Sequence, residues 1–321
     1  MMMAPAARMD GLRAAFGDRL LCAENLARYT SARIGGAADF FLAVQSAAEL
    51  EQAVRLAWAA ALPFRVLGAG SNVLVSDAGY RGLVIHNDAR AITFREEAGA
   101  IVVRAEAGAS LPTLARLCVA RGAAGLEWGA TVPGTVGGAV FGNAGAHGAD
   151  VSSNLVLAEI LHRDGGVERW SAADLALGYR ASRLKTELDS AVVLAAEFRL
   201  VPETPAALQV RVDAFIAQRR STQPPGASIG SMFKNPAADF AGRLIEAAGL
   251  KGARLGNAQI SALHANFFVN LGDARAGDVY ALIELARSTV QQQCGVVLEL
   301  EIGLLGEFAD VLSVSVADAH V

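Results

Sequence analysis

Cysteine is scarce in this 321-residue chain: Cys22, Cys118 and Cys294 stand far apart, with no CxxC pair and no histidine at metal-ligand spacing. That scarcity excludes a disulfide framework and fits a reduced, cytosolic compartment, with Cys118 and Cys294 expected as core helix residues. Long apolar runs are missing as well. None approaches the roughly 20 residues that a membrane-spanning helix needs. Met1-Met2-Met3-Ala4-Pro5 is not followed by the apolar core of a signal peptide, so a soluble cytoplasmic protein is expected. The three adjacent methionines leave the start site open. Positive charge is not in excess either. The formal net charge of −4 argues against a general affinity for nucleic acid or anionic membrane. An anionic ligand would have to be held by local backbone amides and a few cations. Apolar material is plentiful, at 53% of residues against 19% charged, which supports two or three domains rather than one.

Residues 39–44 (DFFLAV) predict a buried strand. Ser46 to Glu49 has capping-box spacing, and Leu50, Ala53, Val54 and Ala57 make a helical stripe that Pro63 stops. A strand over 64–67 follows, so this reads as a βαβ unit with parallel strands and a right-handed crossover. Ala98-Gly99 between 92–94 and 101–104 predicts a hairpin. Ser110 opens a helix that Gly122 closes. The segment 125–148 is glycine-rich with little periodicity. A second hairpin turns at Asp164-Gly165-Gly166, Ser171 to Asp174 caps a short helix, and 192–200 is a strand. Pro202 and Pro205 mark a boundary. Beyond it, helices are predicted over 208–220, 240–248 and from about 276 to Gly295, and 296–302 alternates as an edge or half-buried strand does. The order of elements predicts an α+β protein with one parallel unit, an antiparallel middle and a separate C-terminal domain.

Two segments carry the chemistry. Gly68-Ala69-Gly70-Ser71-Asn72 follows a strand, but a dinucleotide fingerprint would need glycine at Val73 and a helix directly after it. Instead Leu74 to Asp77 continues as strand and turn. The glycines still let backbone N–H groups approach a phosphate, although an ordinary left-handed turn explains them equally. Gly129 to Ala139, followed by Gly142 to Ala146, is costly in entropy unless a ligand packs on its backbone. About sixty residues apart, the two segments could grip one pyrophosphate. Neither holds a Walker lysine, so nucleotide hydrolysis is not expected.

LGAGSNVLVSDAGYRGLVI (67–85) and GATVPGTVGGAVFGNAGA (129–146) resemble the UDP-N-acetylenolpyruvoylglucosamine reductase (MurB) family. The resemblance continues, in order, through Tyr179-Arg180-Ala181-Ser182, GSMFKNP (230–236), AGRLIEAAGLKG (241–252), AQIS (258–261), HANFFVN (264–270) and LELEIGLLGE (298–307). It implies a two-subdomain FAD-binding fold of the PCMH/VAO type over 1–90 and 91–203, a substrate-binding α+β domain over 204–308 and a tail over 309–321. It also implies noncovalent FAD, reduction by NADPH, and a UDP-sugar substrate on the route to peptidoglycan. Hydride would pass from flavin N5 to C3 of the enolpyruvyl group and a proton to C2.

The resemblance assigns Arg180 to the substrate carboxylate and enolate, Ser231 to protonation of C2, and Glu301 to a place beside the enolate. Tyr179, Lys234 and Asn235 would bind substrate. Gly68, Ala69, Gly70, Ser71, Asn72, Thr131, Pro133, Gly134, Thr135, Gly137, Gly138, Ala139, Asn143 and Gly145 would bind FAD. No metal is implied, and the protein is expected as a monomer or weak dimer. Taken singly, each residue has a plainer reading: Arg180 as a surface ion-pair partner, Ser231 as a cap, Glu301 as part of a solvated strand face, Asn235-Pro236 as a turn and His264 as a core histidine. Asp77 and Glu127 are expected to be structural. The interval from Arg180 to Ser231 is too short for the family's lid insertion, so no lid tyrosine is assigned, and Gln223-Pro224 stands where some members have a diphosphate-binding lysine. Another FAD oxidase or dehydrogenase of the same fold, or a nonenzymatic binding module, would also explain the glycine segments.

Overall fold

The computed structural model describes residues 9–308, so the tail over 309–321 and the first eight residues lie outside the described residues. The described chain forms two compact units. One comprises 9–22, Phe40–Ala69 and Gly82–Gln218; the other comprises Ala23–Asp39, Gly70–Arg81 and 219–308.

In the first unit, Ser46 Oγ accepts the Glu49 N–H and opens the helix Ala47–Ala59. Glu49 reaches back to the Gln45 N–H, one residue earlier than a standard capping box, and also takes a two-pronged contact from Arg19. That hydrogen-bonded guanidinium holds the Glu49 carboxyl at about 2. Leu50, Ala53, Val54 and Ala57 are fully buried, as their spacing predicts. The two flanking strands lie in one sheet but are not neighbours. Tyr80–Asn87 lies between Ala37–Val44 and Phe64–Leu67, in a sheet ordered Leu20–Asn25, Ala37–Val44, Tyr80–Asn87, Phe64–Leu67. The reason is burial: Leu83, Val84 and Ile85 are consecutive and fully buried, the pattern of a central strand covered on both faces. Phe64–Leu67 pairs with it in parallel.

The antiparallel middle forms as predicted, in the order Val167–Trp170, Leu155–His162, Ala191–Pro202, Ala100–Glu106, Ile92–Glu97. Ala98 and Gly99 both have positive φ, which a tight primed turn requires. Ser110 Oγ caps the helix Leu111–Ala120, where Cys118 is buried and its thiol is pushed up to about 12 by desolvation. Two readings need correction. The glycine-rich segment contains a 3-10 turn, Glu127–Thr131, and an α-helix, Val136–Gly142, whose first turn is capped by Thr135 Oγ1. At 171–177 the reciprocal Ser171–Asp174 bonds do form, but the chain only turns, because Ala176 adopts φ 47° and cannot continue a right-handed helix.

In the second unit, Ala227–Ser231, Phe267–Asn270, Ala258–Ile260 and Arg254–Leu255 form a sheet in that order. Phe233, Ile245, Phe268, Leu282, Ile283 and Ala286 fill a core between this sheet and the helices Ala241–Ala247 and Ala276–Cys294. Cys294, expected in a core, is exposed as the last residue of its helix. The segment 296–302 keeps its alternation, with Leu298 and Ile302 buried, yet only Leu300 bridges to Phe233. A continuous ladder begins at Gly303–Leu305, in parallel with Val73–Val75. Among the described residues no helix is long and apolar enough to cross a membrane.

The helix Ala276–Cys294 has no cap from its own N-cap residue, Arg275. Asp77 replaces it across the sequence: its two carboxylate oxygens accept the N–H groups of Ala276 and Gly277, each at 2.9 Å. A carboxylate there also faces the positive end of the helix dipole. Asp77→Ala should therefore lower the unfolding free energy by about 1 kcal/mol in urea melts, with Asp77→Asn losing less. An unchanged midpoint for Asp77→Ala would show that the cap contributes nothing.

Candidate active site

In the first unit the two glycine segments come together. A Cβ on Gly68 would lie 2.4 Å from Thr135 Oγ1, so only glycine fits there. Among the described residues, none of the N–H groups of Gly68, Ala69, Gly134 and Thr135 donates to another backbone group. Backbone N–H groups without a backbone acceptor, on small residues, are donors suited to phosphate oxygens, and Gly138 near Thr135 is exposed. These residues fit the pyrophosphate of a dinucleotide. Other predicted cofactor residues face inward. Gly137 donates to the Ala107 carbonyl, where a Cβ would press on the Ala107 side chain, and Ala139 is buried in the helix. Thr131 Oγ1 donates to the Trp128 carbonyl and lies 3.1 Å from His147 Nε2. Glu127, nearly buried, accepts from Gly125 N–H and Arg211, as a structural acid does.

Tyr179 and Arg180 form the tip of a two-residue turn closed by reciprocal Gly178–Ala181 backbone bonds. Arg180 has φ 53°, a left-handed conformation that is strained for a side chain of its size. Three bonds strap the turn to the end of the glycine-rich segment. Asn143 Nδ2 donates to the Gly178 carbonyl at 2.9 Å, Arg180 Nη2 to the Gly145 carbonyl at 2.9 Å, and Ser182 Oγ to the Phe141 carbonyl at 2.5 Å. Asn143 is buried and also bonds Asp150 and the Ser152 N–H. Its side chain holds the turn rather than facing outward. The guanidinium of Arg180 lies 5.4 Å from the Tyr179 ring centroid.

The second unit holds Gly70, Ser71, Asn72, Ser231, Lys234, Asn235 and Glu301. Gly70 is demanded by the chain itself: a Cβ would lie 2.1 Å from the Tyr29 carbonyl oxygen. Ser71 approaches Gly230, whose Cβ position is 4.0 Å from the Ser71 carbonyl oxygen. Asn72 Nδ2 donates to the Glu301 carbonyl at 3.1 Å, and the Glu301 N–H donates to the Met232 carbonyl at 2.9 Å. Ser231 and Glu301 thus lie on neighbouring segments, with Asn72 bonded to the Glu301 carbonyl. Lys234 forms an ion pair with Glu299, and Asn235 Oδ1 accepts the Ala241 N–H at the start of a helix.

Ser231, Asn235, Phe240, Arg243, His264 and Asn266 line a cleft of 300 Å³. Burial lowers the pKa of the His264 imidazole, and its Nδ1 accepts the Asn266 N–H, which places the ring proton of the neutral form on Nε2. Sequence reasoning gave no role to Asn266, which is 3% exposed. The available signal was a polar residue at the head of the apolar run FFV, since a buried amide must find partners.

Comparison with known proteins places these features in context. Residues 221–305 match the family described as "UDP-N-acetylenolpyruvoylglucosamine reductase, C-terminal domain", and 38–171 match "FAD binding domain". A UDP-N-acetylenolpyruvoylglucosamine reductase of Rubrobacter xylanophilus is 48% identical over 284 residues, covering 88% of this chain and 94% of the relative. That of Chloroflexus aurantiacus is 45% identical over 287 residues, covering 88% and 96%. The crystal structure of the reductase from Thermus caldophilus superposes with a TM-score of 0.75 at 34% identity, over 89% of this chain and 99% of that one. The α+β fold with an FAD-binding region and a distinct C-terminal region is thereby established. The chain belongs to the UDP-N-acetylenolpyruvoylglucosamine reductase family.

Proposed function

We propose that this protein reduces the enolpyruvyl ether of UDP-N-acetylglucosamine enolpyruvate to UDP-N-acetylmuramate for peptidoglycan synthesis, in the cytoplasm, as a monomer or weak dimer. FAD is held noncovalently and NADPH is the reductant. The observation that carries this reading is the gathering of Ser231, Glu301 and Asn72, distant in sequence, through the Glu301–Met232 and Asn72–Glu301 bonds. Bound FAD supplies the two-electron relay between NADPH and C3 of the enolpyruvyl group.

The rest falls to the chain's own groups. Charge develops at C2 and on the carboxylate as C3 is reduced. Arg180 neutralises it, since a guanidinium stays charged and can engage a carboxylate through two N–H groups. Its bond to the Gly145 carbonyl and the strained turn beneath it fix the direction of the fork before substrate arrives. Ser231 delivers the proton to C2. A hydroxyl is a weak acid, so the step is feasible only toward a carbanion-like acceptor and from a fixed position. Glu301 sits beside the enolate, and Tyr179, Lys234 and Asn235 hold the substrate. Gly68, Ala69, Pro133, Gly134, Thr135, Gly138 and Gly145 of the first unit, and Gly70, Ser71 and Asn72 of the second, are the residues proposed to bind the cofactor. Thr131, Gly137, Ala139 and Asn143 support the first unit's glycine-rich segment from within.

The purified protein should be yellow, bleached by NADPH and recoloured anaerobically by the enolpyruvyl UDP-sugar. Recolouring by oxygen with no response to the sugar would identify a flavin oxidase instead. Ser231→Ala should keep its flavin and its reduction by NADPH, while sugar-dependent reoxidation slows about 10²- to 10⁴-fold, the range for a general acid. A normal reoxidation rate in stopped flow would remove Ser231 as proton donor. Arg180→Ala should cost about 3 kcal/mol of transition-state stabilisation, seen as a fall in kcat; an unchanged kcat would remove the arginine from that role.

A further inference from the structure

The strand Ala227–Ser231 is irregular where it reaches its last residue. Ser228 pairs with Val269 and Ser231 with Phe267, so three steps on one strand match two on its partner. Gly230, at φ 83°, absorbs the extra residue. Such a bulge re-aims the side chain that follows it, here Ser231, but it also weakens the ladder that would hold that side chain still. Beyond Ser231 the strand ends, while Met232 and Phe233 are fully buried and their backbone groups need partners.

Asn266 meets that need from one side. Its carbonyl oxygen accepts the Met232 N–H at 2.8 Å. Its side-chain Oδ1 accepts the Phe233 N–H at 2.9 Å, and its Nδ2 donates to the Phe233 carbonyl at 2.8 Å. A single side-chain amide therefore satisfies both backbone groups of Phe233, as a neighbouring strand would. On the other side, the Met232 carbonyl accepts from Glu301 N–H, Phe233 bridges Leu300, and Lys234 N–H donates to the Glu299 carbonyl. Met232–Phe233 is thus clamped between Asn266 and the backbone that carries Glu301.

We infer that Asn266 is a positioning residue for the proton transfer. Through the two bonds to Phe233 it fixes the aim of the Ser231 hydroxyl and its offset from Glu301. The inference rests on the proposed role of Ser231, and it goes beyond that role by naming the group that makes a weak acid effective. A serine able to wander would donate rarely, because misplacement by about 1 Å can cost on the order of 10²-fold in rate.

The test uses the flavin-loaded full chain, with anaerobic stopped flow for each half-reaction and amide hydrogen exchange as a readout independent of turnover. Two variants are made: Asn266→Asp, which keeps the shape and an acceptor but loses the donor to Phe233, and Asn266→Ala. Both should reduce with NADPH at the wild-type rate and slow about 10²-fold in sugar-dependent reoxidation. Exchange at Met232–Phe233 should accelerate at least about tenfold in Asn266→Ala, with protection in Ala276–Cys294 retained. Combining Asn266→Ala with Ser231→Ala should slow reoxidation no further than Ser231→Ala alone, because the positioning has nothing left to position. Multiplying losses in the double variant, equal losses in both half-reactions, a normal rate in both single variants, or unfolding of both would each overturn the assignment. Normal reoxidation by Ser231→Ala would instead sink the role of Ser231 itself, so the two failures are distinguishable.

Discussion

A buried backbone amide or carbonyl that leaves a regular ladder must find another partner, and the candidate functional segments of this protein leave their ladders. Buried or half-buried asparagines supply the partners. Asn143 joins the glycine-rich segment to the turn that presents Arg180. Asn266 satisfies both backbone groups of Phe233 next to Ser231. Asn270 donates to the Ala32 carbonyl and accepts the Gly272 and Ala274 N–H groups. In each case an amide, having donor and acceptor in one plane, takes the place of a strand edge. At Asn266, replacement by an apolar residue would leave both buried backbone groups of Phe233 without that partner, which costs more than the bonds themselves contribute.

The same constraint divides what the sequence could disclose from what it could not. Features fixed within a few residues were legible. The Ala98-Gly99 turn, the Ser46 and Ser110 caps and the Gly295 terminus each depend on local φ values or side chains at fixed offsets, and each forms. Features set by distant partners were not. Nothing near Val73–Val75 announces that it pairs with Gly303–Leu305, or that Tyr80–Asn87 inserts beside Phe64–Leu67. The helix Val136–Gly142 escaped notice because two glycines in its first turn carry poor helical propensity. It forms because Thr135 caps it and because Gly137 lets it lie against Ala107. Tertiary contact overrides propensity there.

Glycine carried a mixed message for the same reason. Its abundance in both segments pointed toward a ligand approached by backbone, and the exposed Gly138 suits that reading. At Gly68, Gly70 and Gly137, however, the missing Cβ makes room for the protein's own backbone and side chains. Sequence alone weighs these uses equally, since both select against a side chain. The candidate catalytic residues were legible only as an ordered set of motifs. Arg180, Ser231 and Glu301 are each commonplace in isolation, and the one local mark on Asn266, a polar residue heading the apolar run FFV, does not name its partner 33 residues away.

The proton-donor role proposed for Ser231 would make demands on the backbone bonds that flank so small a side chain. A hydroxyl has little thermodynamic drive to give up its proton, so its usefulness depends on being present, correctly aimed, when charge develops at C2. An arginine needs less help of this kind, since its charge is permanent and its field tolerates small displacements; one strained turn and three straps suffice for Arg180. The serine instead follows a bulge and precedes two fully buried residues, whose backbone is held on one side by the Asn266 amide and on the other by the Glu301 N–H. The weaker the acid, the more of its efficiency must come from the structure that holds it, and in the proposed mechanism the bonds at Met232 and Phe233 answer that demand.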